Sequence, residues 1–292
     1  MRIVPSERPL FARIEDIDLA KPLDDERFAG ILKALGDHGV LCFPGQSLNS
    51  AQLRDFSARF GTLEVNVGNL QKDGEFPEIM TLSNIVRDGK PIGIGDAGQD
   101  WHTDMSYSKT VAFVNVLFAL EVPRKDGRTL GETHFADMAA AWDALPEDVK
   151  KTLQDRWIVH DFEKFWEMMR REKNSPRPPL TDEQRRIKPP VAHRATYRHP
   201  LSGRQILYAN PGYAVRIEGM PQKESDELLS FLFRHQVEDR FVHRFSWTKG
   251  DVLMWDNLRV IHKAIGDYGP DTPRHMKRCQ VMADKVLAGM EI

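Results

Sequence analysis

Two stretches, Gln99-Asp100-Trp101-His102-Thr103-Asp104 and Trp255-Asp256-Asn257-Leu258-Arg259-Val260-Ile261-His262, organise the reading of this chain. In an extended backbone His102 and Asp104 stand two positions apart and project to the same side, so an imidazole and a carboxylate can face one metal. One further imidazole completes a facial set of three ligands. His262 is the natural candidate, because it follows the apolar run Asp251-Val252-Leu253-Met254-Trp255, which reads as a strand expected to pair beside the first segment.

Composition bounds what surrounds this set. The 292 residues suffice for one large domain or two small ones with a sizeable core. With 41 basic and 43 acidic side chains the formal charge is −2, which argues against a general nucleic-acid or membrane-surface partner. Two cysteines, Cys42 and Cys279, form no disulfide framework and suit a reducing cytoplasm. The N-terminus lacks the apolar core of a signal peptide, and no apolar run approaches the roughly 20 residues that span a bilayer. A soluble cytoplasmic protein is expected.

Outward from the two stretches, the elements are short. A strand is expected within Phe11 to Leu19. Asp24 caps a helix with Phe28, Ile31, Leu32 and Leu35 at helical spacing, stopped by Gly36 and Gly39. Val40 to Phe43 reads as a strand covered on both faces, and Ser50 caps a second helix carrying Leu53, Phe56 and Phe60. Glu64 to Gln99 is a glycine-punctuated region, with Gly68, Gly74, Gly89, Gly93, Gly95 and Gly98, that reads as binding loop or plain surface loop around one strand, Ile79 to Asn84. Strands follow at Val111 to Phe118 and Gly131 to Ala136, then a helix capped by Asp137 that breaks near Pro146. A hairpin is expected from Ala195 to Tyr208, a helix from Lys223 to Val237, and strands at Val242 to Trp247, Asp251 to Trp255 and Lys277 to Met282.

No internal repeat and no Gly-rich phosphate loop appear. Many short strands with a few helices point to an α+β, mainly β fold: a double-stranded β-helix (jelly roll, cupin-like) core with helical insertions, as a single domain over 1–292. The stretch 163–190 differs in composition. It carries Lys164, Arg170, Arg171, Lys173, Arg177, Arg185, Arg186 and Lys188 among acids and prolines, and reads as a mobile lid over the site or as a solvated, partly helical insertion.

A His-x-Asp triplet alone is weak, since a histidine bonded to its own neighbour explains it. The context strengthens it. Two histidines and one carboxylate leave open positions on an octahedral metal, the arrangement of mononuclear non-haem Fe(II) oxygenases. Past His262 stand Arg274 and Arg278, permanently charged planar forks suited to carboxylate or sulfonate groups. In an extended strand they share a face, implying two anionic guests; separate structural ion pairs are the alternative.

The set Trp101-His102-Thr103-Asp104, Gly131-Glu132-Thr133, Trp255-Asp256-Asn257, His262, Arg274 and Arg278 resembles the Fe(II)/2-oxoglutarate-dependent dioxygenases of the taurine and 2,4-dichlorophenoxyacetate dioxygenase family. The resemblance runs from Val40-Leu41-Cys42-Phe43-Pro44-Gly45-Gln46 through Ala139 to Pro146 and on to Arg278. It implies Fe(II) held by His102, Asp104 and His262, 2-oxoglutarate held by Thr133 and Arg274, and O2 as co-substrate. Arg278 would take the acidic group of a small organic carboxylate or sulfonate. A C–H bond would be hydroxylated while 2-oxoglutarate becomes succinate and CO2. Where that carbon bears oxygen, sulfur or an amine, the product would collapse to an aldehyde or ketone and cleave an ether or C–S bond. A homo-oligomer, dimer or tetramer, is also implied.

In its Asp88-Gly89-Lys90 loop the chain resembles the aryloxyalkanoate branch, where Lys90 is either a second cation near the substrate or an exposed turn lysine. Gly98, Gln99 and Asp100 depart from the polar residues that precede the metal-binding histidine in taurine enzymes. Asn84, Gln99, Asn210 and Tyr213 are the remaining candidates for the substrate pocket. Two rival readings stay open: an O2-independent cupin-like metal isomerase or lyase, and a non-catalytic metal-binding protein. Neither requires a dicarboxylate clamp. His160, His193, His199, His235 and His243 share no ligand spacing and read as core or surface residues.

Overall fold

A computed structural model describes residues 1–8, 10–65, 72–73, 75–172, 178–288 and 290. Gly68 and Gly74 of the glycine-punctuated region, and Lys173 and Arg177 of the charged stretch, lie outside the described residues. The described chain is mixed α/β with mainly strands.

Its frame is an eight-stranded sheet, in the order Arg2–Pro5, Ala12–Glu15, Val40–Phe43, Val252–Asp256, Ala112–Glu121, His275–Met282, Phe76–Ser83 and Lys72–Asp73. Pairing is antiparallel except between Ala12–Glu15 and Val40–Phe43. The central strands are buried on both faces, which is why they read as continuous apolar runs. One face, with Leu41, Phe43, Val114, Val116 and Met254, packs under the helices Asp25–His38 and Ser50–Ala58 through Ile31, Leu35, Leu53 and Phe56. The opposite face, with Val40, Cys42, Leu117, Leu253 and Trp255, meets a three-stranded sheet through Phe135, Phe245 and Val260. That second sheet runs Val242–Phe245, Thr133–Asp137, Val260–Ala264. The site lies on this inner side.

Most expected elements are present, with four corrections. The Val252–Asp256 strand does not pair beside 99–104; it sits between Val40–Phe43 and Ala112–Glu121. The chain then turns, with Asp256 accepting from the Leu258 N–H at 2.9 Å, and the following strand Val260–Ala264 meets His102 instead. Ser50 is the first helical residue. The cap is Asn49, which exchanges hydrogen bonds with Gln52 in a capping box. Gly36 does not end the first helix but lies inside it, where a Cβ would come 2.8 Å from that of Leu201. Finally, a sheet of Val191–Arg194, Trp157–His160 and Ala214–Ile217 was not expected.

The 163–190 stretch forms two described helices, Phe162–Glu172 and Asp182–Ile187. No helix among the described residues is long and apolar enough to cross a membrane.

Candidate active site

His102 and His262 are joined through their backbones. The His102 N–H donates to the His262 carbonyl at 3.0 Å and the His262 N–H returns the bond at 2.7 Å. This isolated antiparallel bridge sets the two rings 4.3 Å apart. Asp104 falls in the turn just beyond, next to Met105 at φ 58°. Its Oδ1 lies 3.5 Å from His102 Nε2 and its Oδ2 3.8 Å from His262 Nε2. One ligand atom from each of the three residues lies within 4.8 Å of the others.

Hydrogen bonds fix the chemical state of this set. His102 Nδ1 is 2.7 Å from the Asp100 carbonyl, which can only accept, so Nδ1 carries a proton and Nε2 is the nitrogen turned toward Asp104 and left for a metal. Burial drives His262 well below the usual histidine range; His102 and Arg278 push the same way and Asp104 opposes them. Burial works to raise Asp104, but Arg278 and the two imidazoles outweigh it and hold the carboxyl well below its usual range. Two imidazole nitrogens and an ionised carboxylate facing one point are what a divalent metal with about 2 Å bonds to N and O requires. The donor set therefore fits Fe(II).

The eight-stranded sheet presents a polar row to this point. Asn115 pairs across with Gln280 on one side and Trp255 on the other, and Arg278 lies two residues from Gln280 on the same face. Asn115 Nδ2 donates to Asp104 Oδ2. Arg278 Nη1 lies 3.4 Å from that oxygen, and its Nε is buried without a partner.

Arg274 stands just before the strand that carries Arg278, and a shift in pairing between His275 and Met276 separates the two. It is 6 % exposed, and its Nε has no hydrogen-bond partner. Among the described residues no carboxylate forms an ion pair with it. Its guanidinium carbon lies 5.6 Å from the Tyr268 ring, and burial lowers its pKa while Tyr268 opposes. Gly131 backs onto the same ring. At φ 73° it occupies a conformation that favours glycine, and a Cβ there would come 3.2 Å from Tyr268. Two residues on, Thr133 is buried and its hydroxyl accepts from Trp247 Nε1 at 3.0 Å. That leaves the threonine proton free to donate to an anion.

The other candidates take different places. Asn84 spends its amide on the backbone of 269–274, donating to the Gly269 carbonyl at 2.8 Å and accepting from the Arg274 N–H at 2.8 Å. Asn210 donates to the Thr103 carbonyl at 2.9 Å and to Ser106 at 2.7 Å, bracing the turn that holds Asp104. The Gln99 amide lies against Gly266. Lys90 is exposed on a short hairpin strand, Lys90–Pro91. Tyr213 belongs to an aromatic wall. Its ring is 4.8 Å from that of Tyr107 and 5.4 Å from that of Phe165, and Phe165 is 6.4 Å from His102. Phe162, from the same helix as Phe165, lies 4.8 Å from Tyr107. The remaining histidines stand outside the metal group; His199 Nε2, for example, is bonded to Asp256 at 3.0 Å with both side chains fully buried.

Asn115, Tyr268, Trp247 and the Phe162–Phe165 face were not anticipated. Asn115 had a readable signal, as the one polar residue inside the run Val111 to Phe118; a buried amide there needs a specific partner.

Two imidazoles and one carboxylate on a mainly β scaffold, beside a buried arginine without a carboxylate partner among the described residues, suit a metal-dependent oxygenase that uses an acidic co-substrate. The chain belongs to the taurine catabolism dioxygenase TauD, TfdA family, whose match spans residues 5–280. It is 32 % identical to the alpha-ketoglutarate-dependent 2,4-dichlorophenoxyacetate dioxygenase of Cupriavidus pinatubonensis, over 96 % of this chain and 97 % of that one. With the pentalenolactone F synthase of Streptomyces avermitilis it shares 31 % identity, over 86 % and 84 %. The crystal structure of AAD-2 in complex with Mn(II) and N-oxalylglycine matches with a TM-score of 0.80 and 28 % identity, covering 96 % of this chain and 98 % of that one. The protein is a 2-oxoglutarate-dependent dioxygenase that requires Fe(II), 2-oxoglutarate and O2.

Proposed function

We propose that this dioxygenase, built on a double-stranded β-helix, hydroxylates a C–H bond of a small organic carboxylate or sulfonate with an aromatic or alkyl body. His102, Asp104 and His262 hold the iron. Thr133 and Arg274 hold the distal carboxylate of 2-oxoglutarate, and Arg278 receives the acidic group of the substrate. The observation that carries this division is the pair of arginines. Arg274 is buried with an unused Nε and, among the described residues, no carboxylate partner, while Arg278 faces the metal corner with its own Nε unused.

The bound metal and its co-substrates supply the oxidising chemistry, with succinate and CO2 as co-products. The chain's residues do the rest. Asn115 orients Asp104, Trp247 orients the Thr133 hydroxyl, and Asn84 and Asn210 hold the two loops in register. Tyr107, Tyr213, Phe162 and Phe165 form an apolar wall that keeps water from the metal corner and packs on the substrate body. Because Phe165 comes from the 163–190 stretch and Phe162 immediately precedes it in the same helix, their position supports reading that stretch as a lid. An aryloxyacetate, the substrate type named for the Cupriavidus relative, has the anionic end and flat body such a pocket favours.

The test has two arms. Under anaerobic conditions, Fe(II) and 2-oxoglutarate should give a weak visible charge-transfer band in the wild type and none in His102→Ala. In air, aryloxyacetates and then sulfonates are screened by oxygen uptake. Metal binding with no band would remove 2-oxoglutarate from the site and overturn the assignment.

A further inference from the structure

Tyr268 is a half-buried side chain to which the dioxygenase reading gives no part. Its ring lies against Gly131, where a Cβ would come 3.2 Å from two ring carbons, Cδ1 and Cε1. The same ring has the Arg274 guanidinium carbon 5.6 Å from its centroid. Gly131 leads within two residues to Thr133. One ring therefore stands between the two segments that carry the groups assigned to the distal carboxylate of 2-oxoglutarate.

The backbone on either side of the ring is pinned. Beyond the pairing of Thr133 with Ala264, the Ile265 N–H donates to the Glu132 carbonyl at 2.9 Å, and Asp267 Oδ1 accepts from the Gly131 N–H at 2.7 Å. Past Tyr268, Asn84 donates to the Gly269 and Thr272 carbonyls at 2.8 and 3.1 Å and accepts from the Arg274 N–H at 2.8 Å, and the Ser83 hydroxyl donates to the Arg274 carbonyl at 2.7 Å. The Arg274 side chain is held differently. Among the described residues it forms no ion pair, and its Nε has no partner. A long, flexible stem without such ties is placed by packing, and a planar guanidinium packs well on an aromatic ring.

We propose that Tyr268 is a positioning residue for co-substrate selection: its ring is a spacer that fixes how far the Arg274 guanidinium stands from Thr133, and so sets the length of the 2-oxo diacid whose distal carboxylate meets both. 2-Oxoglutarate has that length. In 2-oxoadipate, one methylene longer, the carboxylate overshoots the pair. This inference rests on the dioxygenase reading and extends it to the choice of co-substrate.

The experiment is titration of the Mn(II)-loaded full chain with 2-oxoglutarate and with 2-oxoadipate, by isothermal calorimetry. The wild type should prefer 2-oxoglutarate by about ten-fold or more, the scale on which one methylene is discriminated. Tyr268→Leu frees the guanidinium; it should weaken 2-oxoglutarate about ten-fold and leave 2-oxoadipate within about three-fold, so that the preference collapses. Tyr268→Phe keeps the ring and should keep most of the preference. Gly131→Ala crowds the same ring without deleting it and should also reduce the preference, which keeps the inference testable where Tyr268→Leu does not fold. Mn(II) affinity should stay within about two-fold of wild type throughout. A ring that merely supports the fold would weaken both acids alike. Equal loss of both acids in Tyr268→Leu, a preference unchanged in that variant (or in Gly131→Ala where the leucine variant does not fold), a Tyr268→Phe that behaves as Tyr268→Leu, or a wild type that binds both acids equally overturns the inference alone. Failure of the Mn(II)-loaded wild type to bind 2-oxoglutarate overturns the dioxygenase reading itself.

Discussion

Arg274→Met separates what the folded chain tolerates from what its co-substrate needs. In the structure Arg274 is 6 % exposed, has an unpartnered Nε and faces the Tyr268 ring. A buried charge without its partner destabilises the fold by several kcal/mol, and breaking a buried ion pair costs about 3–5 kcal/mol. Both terms concern the same guanidinium in different states. Without 2-oxoglutarate, methionine removes an unmatched charge while keeping a long unbranched stem in the cavity. The variant should therefore unfold at the same temperature as wild type or higher. With 2-oxoglutarate the sign reverses. Loss of the pair at about 1.4 kcal/mol per ten-fold should weaken binding by about a hundred-fold or more.

The assay is calorimetric unfolding of the Mn(II)-loaded protein across a 2-oxoglutarate titration. Saturating co-substrate at about a hundred times Kd stabilises the wild type by about 2.7 kcal/mol. At the same concentration Arg274→Met should gain only a few tenths of a kcal/mol. A variant less stable than wild type without ligand, yet stabilised normally by 2-oxoglutarate, would show that Arg274 is a structural residue and refute the reasoning.

Three further outcomes are expected. Asn115→Ala removes the amide that donates to Asp104 and should lower metal affinity about 10–100-fold with little change in fold, measured by competition with a chromogenic chelator; unchanged affinity would remove Asn115 from the site. Arg259→Met removes the buried partner of Asp137, whose carboxylate lies 2.9 Å from Arg259 Nη2 and keeps only Arg204 at 3.6 Å and its helix-cap bonds, and should cost about 3 kcal/mol in urea denaturation, against less than about 1 kcal/mol if the pair is dispensable. His243, stacked 4.4 Å from Phe11, is pushed down to about 4 by burial, aided by Arg8, from its ordinary 6.5. Between those values the unfolded chain binds a proton that the folded chain refuses, so stability falls as pH drops through that window. His243→Phe should flatten part of this slope, and an unchanged slope would assign it to other groups.

The clustering of His102, Asp104 and His262 was legible because it is local in one half and stands out in the other. His102 and Asp104 are two residues apart, and His262 closes a strand-like segment. What could not be read was which strand lies beside which. Continuous apolarity at 251–255 says that both faces are covered, and the neighbours of that strand are set by pairing across more than a hundred residues. For the same reason the sheet of 157–160, 191–194 and 214–217 escaped notice: its strands are short and mix polar with apolar residues. Capping was legible to within one residue, since Asn49 and Ser50 are both good caps and only the reciprocal bond with Gln52 decides between them. In the site, the arginines were legible by charge. The sequence offers Asn84 and Asn210 as candidates for the substrate pocket, but their amides are spent on backbone groups and, for Asn210, on the Ser106 hydroxyl, partners that no spacing rule could identify.

Asp104 joins parts of the molecule that are otherwise separate. It belongs to the loop that pairs with the small sheet, yet Asn115 and Arg278, which reach it, stand on the large one. In the metal-free protein Arg278 and Asp104 neutralise one another in part across 3.4 Å. A divalent ion competes for the same oxygens and draws the carboxylate charge away from the guanidinium. Arg278 then has more positive charge to offer an anion, so metal and substrate binding should be coupled with positive sign even without 2-oxoglutarate. Phenoxyacetate should bind Mn(II)-loaded protein several-fold more tightly than metal-free protein, and by reciprocity should raise the affinity for Mn(II) by the same factor. In Arg278→Met both effects should vanish together. Equal phenoxyacetate affinity with and without metal in the wild type would mean that Asp104 does not restrain Arg278, and that the two charges act independently.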